Sequence, residues 1–239
     1  MTNILRRYLF AILSLVTLSN CASVPANEDL SRAHIVAYQG FINQNFYELV
    51  VALPNKATLV IDSQGGSRRF GILAGREIQD KQINVSVRGD CLSSCANYIA
   101  TASPNLTLQD DSVLGFHGTT FNFGPKNNSD LRDLPMVEAL FLESGIDLDL
   151  IFCAEKILFT GEFEVKEIQL EDGTIRRAHY PVVRKKMWIP SIEVMEKYGL
   201  KISGTQPGAA SDVARIIGGN RRADEIEMDG GAVDECASA

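Results

Sequence analysis

The chain has 239 residues, 45% of them hydrophobic, and a formal net charge of −7. That length holds one domain of ordinary size with tails, and that hydrophobic content supports a sizeable core. The negative charge argues against nucleic acid as a partner: basic clusters such as Arg184-Lys185-Lys186 and Arg221-Arg222 are short and read as solvated surface.

Arg6-Arg7 precede an apolar segment from Tyr8 to Leu18. The segment is too short to span a bilayer and has the length of a secretory signal core. It runs into Leu18-Ser19-Asn20-Cys21-Ala22-Ser23, which resembles a bacterial lipobox with Cys21 as the lipidated residue. Asn20 departs from the small residue usual before that cysteine. The alternative is ordinary cleavage after Ala26, where Val24-Pro25-Ala26 has small residues at the required places. The lipobox likeness implies a membrane anchor. With no Asp just after Cys21, it implies the periplasmic face of the outer membrane in a Gram-negative-type envelope. The expected division is signal peptide 1–20, linker 21–33, folded domain 34–203 and disordered tail 204–239.

Export permits disulfides. Cys91 and Cys95 flank two serines at a spacing that fits neither a zinc knuckle nor a thioredoxin motif. A bridge within this pair, a bridge from one of them to Cys153, and free buried thiols all remain open. The three histidines, at 34, 117 and 179, are too scattered to favour a metal site, so neither a metal nor a cofactor is expected.

In chain order, His34 to Gly40 alternates as a strand, and His34 reads as an ordinary strand residue. Asn43-Gln44-Asn45 opens a helix with Phe46, Leu49, Val50 and Leu53 on one face, stopped by Pro54. Thr58 to Ile61 is a β-branched apolar run of the kind a parallel sheet buries on both faces. Asp62-Ser63-Gln64-Gly65-Gly66 turns the chain, and Ser67 is placed to cap a helix carrying Phe70, Leu73, Ala74 and Ile78. Gly71 and Gly75 on that helix suit a close neighbour. Ile83 to Val87 is a second sheet strand. Gly89-Asp90 turns into a helix from Ser93 with Ala96, Ile99 and Ala100 facing inward. Asn105 to Leu108 and Val113 to Phe116 are further strands, the second delivering His117. This alternation predicts βαβ units and a mostly parallel sheet.

Thr119 to Asp130 is a polar loop beside His117. Helices are expected over Asp133 to Leu142 and Asp147 to Leu158. Phe163 to Val183 reads as a protruding β-hairpin turning at Glu171-Asp172-Gly173-Thr174, with His179 on its surface. Pro190 to Gly199 is a short helix closed by glycine. Beyond Ser203 the composition is rich in Gly, Ala, Asp and Arg with little periodicity.

Four segments together resemble the ClpP/crotonase superfamily, in particular its exported branch of serine peptidases. They are the strand and glycine turn from Ile61 to Ser67, the Gly89 to Ala96 turn containing Cys91-Leu92-Ser93-Ser94-Cys95, Leu114-Gly115-Phe116-His117, and Pro190 to Lys201. The likeness covers residues 34–203 and implies a spiral of ββα units. It implies Ser93 as nucleophile, with Ser94 as the rival, and His117 as general base and acid. The oxyanion hole falls to the backbone N–H groups of Gly66 and Ser94. Counting back from Tyr198 by the family spacing lands on Met187 where the orienting aspartate belongs. Asp147, Asp149 and Glu162 are the alternatives. A lysine base has no clear candidate; Lys81 and Lys126 read as surface residues. The expected function is an exported serine hydrolase, a peptidase working with a Ser-His dyad on peptide or protein substrates. The alternative is a catalytically inactive envelope scaffold. An acyl-CoA hydratase is disfavoured because an envelope supplies little CoA. The superfamily often forms homo-oligomers, and the hairpin is the surface suited to that or to another partner.

Overall fold

A computed structural model describes residues 34–118, 128–169, 173–183, 185–217, 223–228 and 236. The chain divides into Met1–Arg32 and Ala33–Ala239, and the described residues all belong to the second unit. The signal segment, Cys21, the linker, Lys126 and most of the Thr119–Asp130 loop lie outside them.

Strand β1 (Ile35–Gln39) leads to α1 (Gln44–Ala52). Asn43 caps α1 by accepting the Phe46 N–H at 3.1 Å, and the helix buries Phe46 and Val50. β2 (Thr58–Ser63) buries Leu59, Ile61 and Ser63 on one face and leaves the other half-buried, so it alternates where a fully covered strand was expected. Ser67 caps α2 (Arg68–Asp80) as its sequence position predicts. β3 (Asn84–Leu92) runs five residues past Val87, the expected end. The helix expected from Ser93 is a π-helix, Cys95–Ala100, every residue of which is buried. π-Helices are rare and concentrate at functional sites.

The short strands β4 (Leu106–Leu108) and β5 (Val113–Gly115) follow. Helix α3 (Asn128–Ser144) starts earlier than its apolar periodicity suggests, and α4 is Asp149–Leu158. β6 (Phe159–Gln169) and β7 (Ile175–Val183) pair antiparallel in a separate two-stranded sheet. Val165, Ile175 and Val183 are exposed on this ribbon. The remainder is β8 (Met187–Ile189), α5 (Ile192–Lys197), β9 (Ile202–Ser203), α6 (Ala210–Ile216), a 3-10 turn at Ala223–Glu225 and β10 (Ile226–Met228).

The molecule is therefore α/β. Its central sheet runs β1-β2-β3-β4-β9, with β5 also on β3, and each of these pairs is parallel. β3 forks along one edge. Val85–Val87 pair with Leu106–Leu108, and Asp90–Leu92 pair with Val113–Gly115. A register shift between Ile61 and Ser63, opposite Gly89 at φ +94°, separates the two halves. This bulge carries the end of β3 out of line with its start and toward β5.

The disordered tail expected over 204–239 is not what its described residues form. Val213 and Ile217 of the α6 region and Ile226 of β10 are buried with Leu92, Val113, Met187 and Ile189 in a second, smaller core. β10 pairs parallel with β8, and Gln206 accepts the Leu114 N–H at 2.7 Å. Each buried branched side chain contributes about 1.5–3 kcal/mol, enough in combination to order a segment of weak periodicity. Cys236 completes the attachment through a disulfide to Cys153 on α4, a pairing outside the alternatives left open by the sequence.

The Cys153–Cys236 bridge spans a sequence separation of 83 and constrains a long loop in the unfolded chain. Replacing both cysteines by serine should lower unfolding stability by about 2–4 kcal/mol, measured by urea denaturation without reductant.

Candidate active site

Three loops meet at the carboxyl end of the parallel strands. The first follows β2. The Ser63 hydroxyl accepts the Gly65 N–H at 3.1 Å, which closes the turn. The Gly65 carbonyl then accepts the Ile42 N–H at 2.8 Å, and Ser67 N–H donates to the Ile42 carbonyl at 2.8 Å. Gly65 sits at φ +94°, and a Cβ there would fall 2.6 Å from both the Leu92 carbonyl oxygen and Ser93 Cβ. Only glycine allows the turn to pass this close to the serine.

The second loop is the exit from β3. Ser93 lies at φ +59°, in the left-handed region, between the last strand residue and the π-helix. A non-glycine residue held there costs on the order of 1–3 kcal/mol and marks a turn fixed by its surroundings. Three interactions fix it. Ser93 N–H donates to the Gly115 carbonyl at 3.0 Å, continuing the β3–β5 pairing. The Ser93 carbonyl accepts the Asn97 N–H at 2.8 Å. The Cys91–Cys95 disulfide bridges the residues on either side. Of the open alternatives for these cysteines, the bridge within the pair is the one formed.

The third loop follows β5. Phe116 and Trp188 exchange backbone hydrogen bonds at 2.8 Å in both directions, which braces the residue before His117. His117 Nε2 lies 2.5 Å from Ser93 Oγ. Nδ1 lies 2.6 Å from the Gly118 carbonyl oxygen. A carbonyl can only accept, so this contact puts the proton on Nδ1 and the lone pair of Nε2 on the serine. The His117 carbonyl accepts from the Asn97 side-chain amide at 2.9 Å. Asn97 is thus a second tie between the serine segment and the histidine. Its role depends on a neighbour brought in by β5, which its place in the sequence does not show.

Ser94 does not compete for the histidine. Its hydroxyl donates to the Gly66 carbonyl at 3.0 Å and its side chain is buried. Among the described residues, the Gly66 and Ser94 N–H groups have no hydrogen-bonded acceptor. They flank Ser93 from the glycine turn and from the start of the π-helix. Gln64 donates to Asp90 Oδ2 at 3.2 Å and so links the glycine turn to the approach to Ser93. A cleft of about 330 Å³ opens beside that link, lined among others by Phe41, Asp62, Gln64, Asp90 and Ile217.

None of the carboxylates considered from sequence stands at His117. Asp147 and Asp149 are exposed and lie by Tyr198, whose phenol is pushed up first by burial and then by these two charges. Glu162 is exposed on β6. Met187 is fully buried in the small apolar core, where an ionised side chain would carry a heavy desolvation cost. Lys81 ties the end of α2 to the Val50 and Val51 carbonyls of α1. Among the described residues no cluster of His, Cys, Asp and Glu could hold a metal ion. No protein-family model matches the chain, and no curated protein matches it in sequence.

Asn97→Ala would leave the part-buried His117 carbonyl without its side-chain donor. It should cost about 1–3 kcal/mol of stability by chemical denaturation, whereas Ser94→Ala, which removes a single donor from Gly66, should cost about 1 kcal/mol. The Cys91–Cys95 bridge closes a short ring, so its main action is on local shape. In the Cys91→Ala/Cys95→Ala variant, amide hydrogen exchange at residues 94–97 should rise about tenfold while α1 stays protected.

Proposed function

We propose that the chain is an exported serine hydrolase, a peptidase with the ClpP/crotonase-like spiral of ββα units, acting on peptide or protein substrates. The observation that carries this reading is the 2.5 Å contact between Ser93 Oγ and His117 Nε2 at a left-handed turn following a parallel strand. In the proposed reaction His117 Nε2 takes the hydroxyl proton as Ser93 Oγ attacks the acyl carbon. The developing oxyanion is received by the Gly66 and Ser94 N–H groups. His117 then returns the proton to the leaving amine, and water releases the acyl group by the same steps in reverse. The Gly118 carbonyl holds the imidazole in the tautomer this requires.

Two disulfides in the described domain favour an oxidising compartment, in keeping with the signal-like N-terminus. The proposed location is the periplasm, with attachment to the outer membrane through lipid on Cys21. Among the described residues no helix is long and apolar enough to cross a membrane. The exposed Val165, Ile175 and Val183 of the β6–β7 ribbon support a proposed contact with another copy or a partner protein.

A second reading, an inactive scaffold, draws support from Met187 in the position of the family's acid. A fluorophosphonate probe separates the two. The folded protein should label at Ser93, Ser93→Ala should not label, and His117→Ala should label about 10²–10⁴ times more slowly. No labelling of the folded protein, or equal labelling of Ser93→Ala, would leave the scaffold standing.

A further inference from the structure

The apolar face of α4 contains one charged residue. Leu150, Ile151, Cys153, Ala154, Ile157 and Leu158 are buried, and so is Glu155, which has no exposed surface at all. The other charged residues of the helix, Asp149 and Lys156, are exposed. A carboxylate is costly to bury, and an aliphatic side chain would fill the same space more cheaply. The stem of this side chain lies against the end of the Ser93–His117 site. Glu155 packs directly against Gly118, the residue after His117. A Cβ on Gly118 would fall 2.1 Å from Glu155 Cγ, so no other residue type would let the two come together.

We propose that Glu155 is a positioning residue of the Ser93–His117 site, a buried carboxylate behind Gly118 that stabilises the protonated imidazole of His117. The proposal rests on the Ser93–His117 reading given above. The division of labour follows from the two contacts. The Gly118 carbonyl orients Nδ1 at 2.6 Å, but a carbonyl is neutral and supplies little of the charge that an imidazolium calls for. Glu155 supplies that charge through space, across a dry interior where Coulomb interactions are weakly screened. It would thereby fill the role left open by Met187 from a different element, a helix rather than the strand before α5.

Among the described residues, other titratable groups near this point come from the π-helix, α2, α3 and β6. Tyr98 lies on the π-helix, where burial pushes its phenol up; the charges of Arg68, Asp133 and Glu155 all reach it. Arg68 of α2 and Asp133 of α3 are paired with each other at 3.1 Å. Two strands pack on α4: β8 offers Met187, Trp188 and Ile189, none of which titrates, and the charged residues of β6, Glu162, Glu164, Lys166 and Glu167, are exposed. Of the groups named here, His117 carries the imidazole, the side chain type whose ordinary charge change falls near neutral pH.

The test is the NMR titration of His117, assigned against His117→Ala among the three histidines. Glu155→Gln should lower its midpoint by about one pH unit relative to the wild type, and Glu155→Asp should recover part of the shift. An unchanged midpoint in folded Glu155→Gln overturns the proposal and reduces Glu155 to a packing residue. Should Glu155→Gln fail to fold, the wild type carries the test alone. Its Glu155 side-chain carboxyl carbon should shift with the His117 midpoint, and no such shift overturns the proposal. These readouts need no reaction at Ser93. Absence of fluorophosphonate labelling with a displaced midpoint would sink the hydrolase and keep Glu155; labelling with an unmoved midpoint would do the reverse.

Discussion

The pairing of β3 with β5 is the constraint on which the site depends. Asp90, Cys91 and Leu92 lie beside Val113, Leu114 and Gly115, and Ser93 N–H extends the ladder to the Gly115 carbonyl. That register alone brings the residue leaving one strand next to the residue leaving the other. A slip of one residue would reverse the faces presented by β5 and carry His117 away from Ser93. The bulge at Gly89 makes the pairing available, because the first half of β3 is already occupied by β4.

Around this pairing the molecule spends interactions on backbone rather than on side chains. Asn97 holds the His117 carbonyl, Ser94 holds the Gly66 carbonyl, and Ile42 holds both sides of the glycine turn. The Cys91–Cys95 bridge locks the serine turn covalently. The effect is that the groups proposed to react, Ser93 and His117, remain half-buried while the residues that aim them are buried. Such pre-set geometry is what acyl transfer demands, since donors and base must be in position before charge develops.

The small core beneath β5 shows how distant chain segments reach this arrangement. Met187 closes it with residues of α6 and β10, and Gln206 joins Leu114 to the Pro190 carbonyl. The C-terminal segment therefore supports the strand that delivers His117. From sequence it had looked like a tail, because its few apolar residues have no period of their own. Their partners, Leu92, Val113 and Ile189, belong to other parts of the chain.

By itself the sequence determined the alternation of strands and helices through α4, the cap at Ser67 and the glycine turn, which follow from local rules: apolar period, capping chemistry and the backbone freedom of glycine. The set Ser93, His117, Gly66 and Ser94 was singled out by the resemblance of four segments to a known family. Only the tertiary structure decided that Ser93 and not Ser94 faces the histidine, that Cys91 bridges Cys95 while Cys153 bridges Cys236, and that Met187 is a core residue. It also brought Asn97 and Glu155 to His117 and Gly118. Each of those outcomes depends on which face a residue presents to a segment far away in the chain, and the local pattern carries no record of that neighbour.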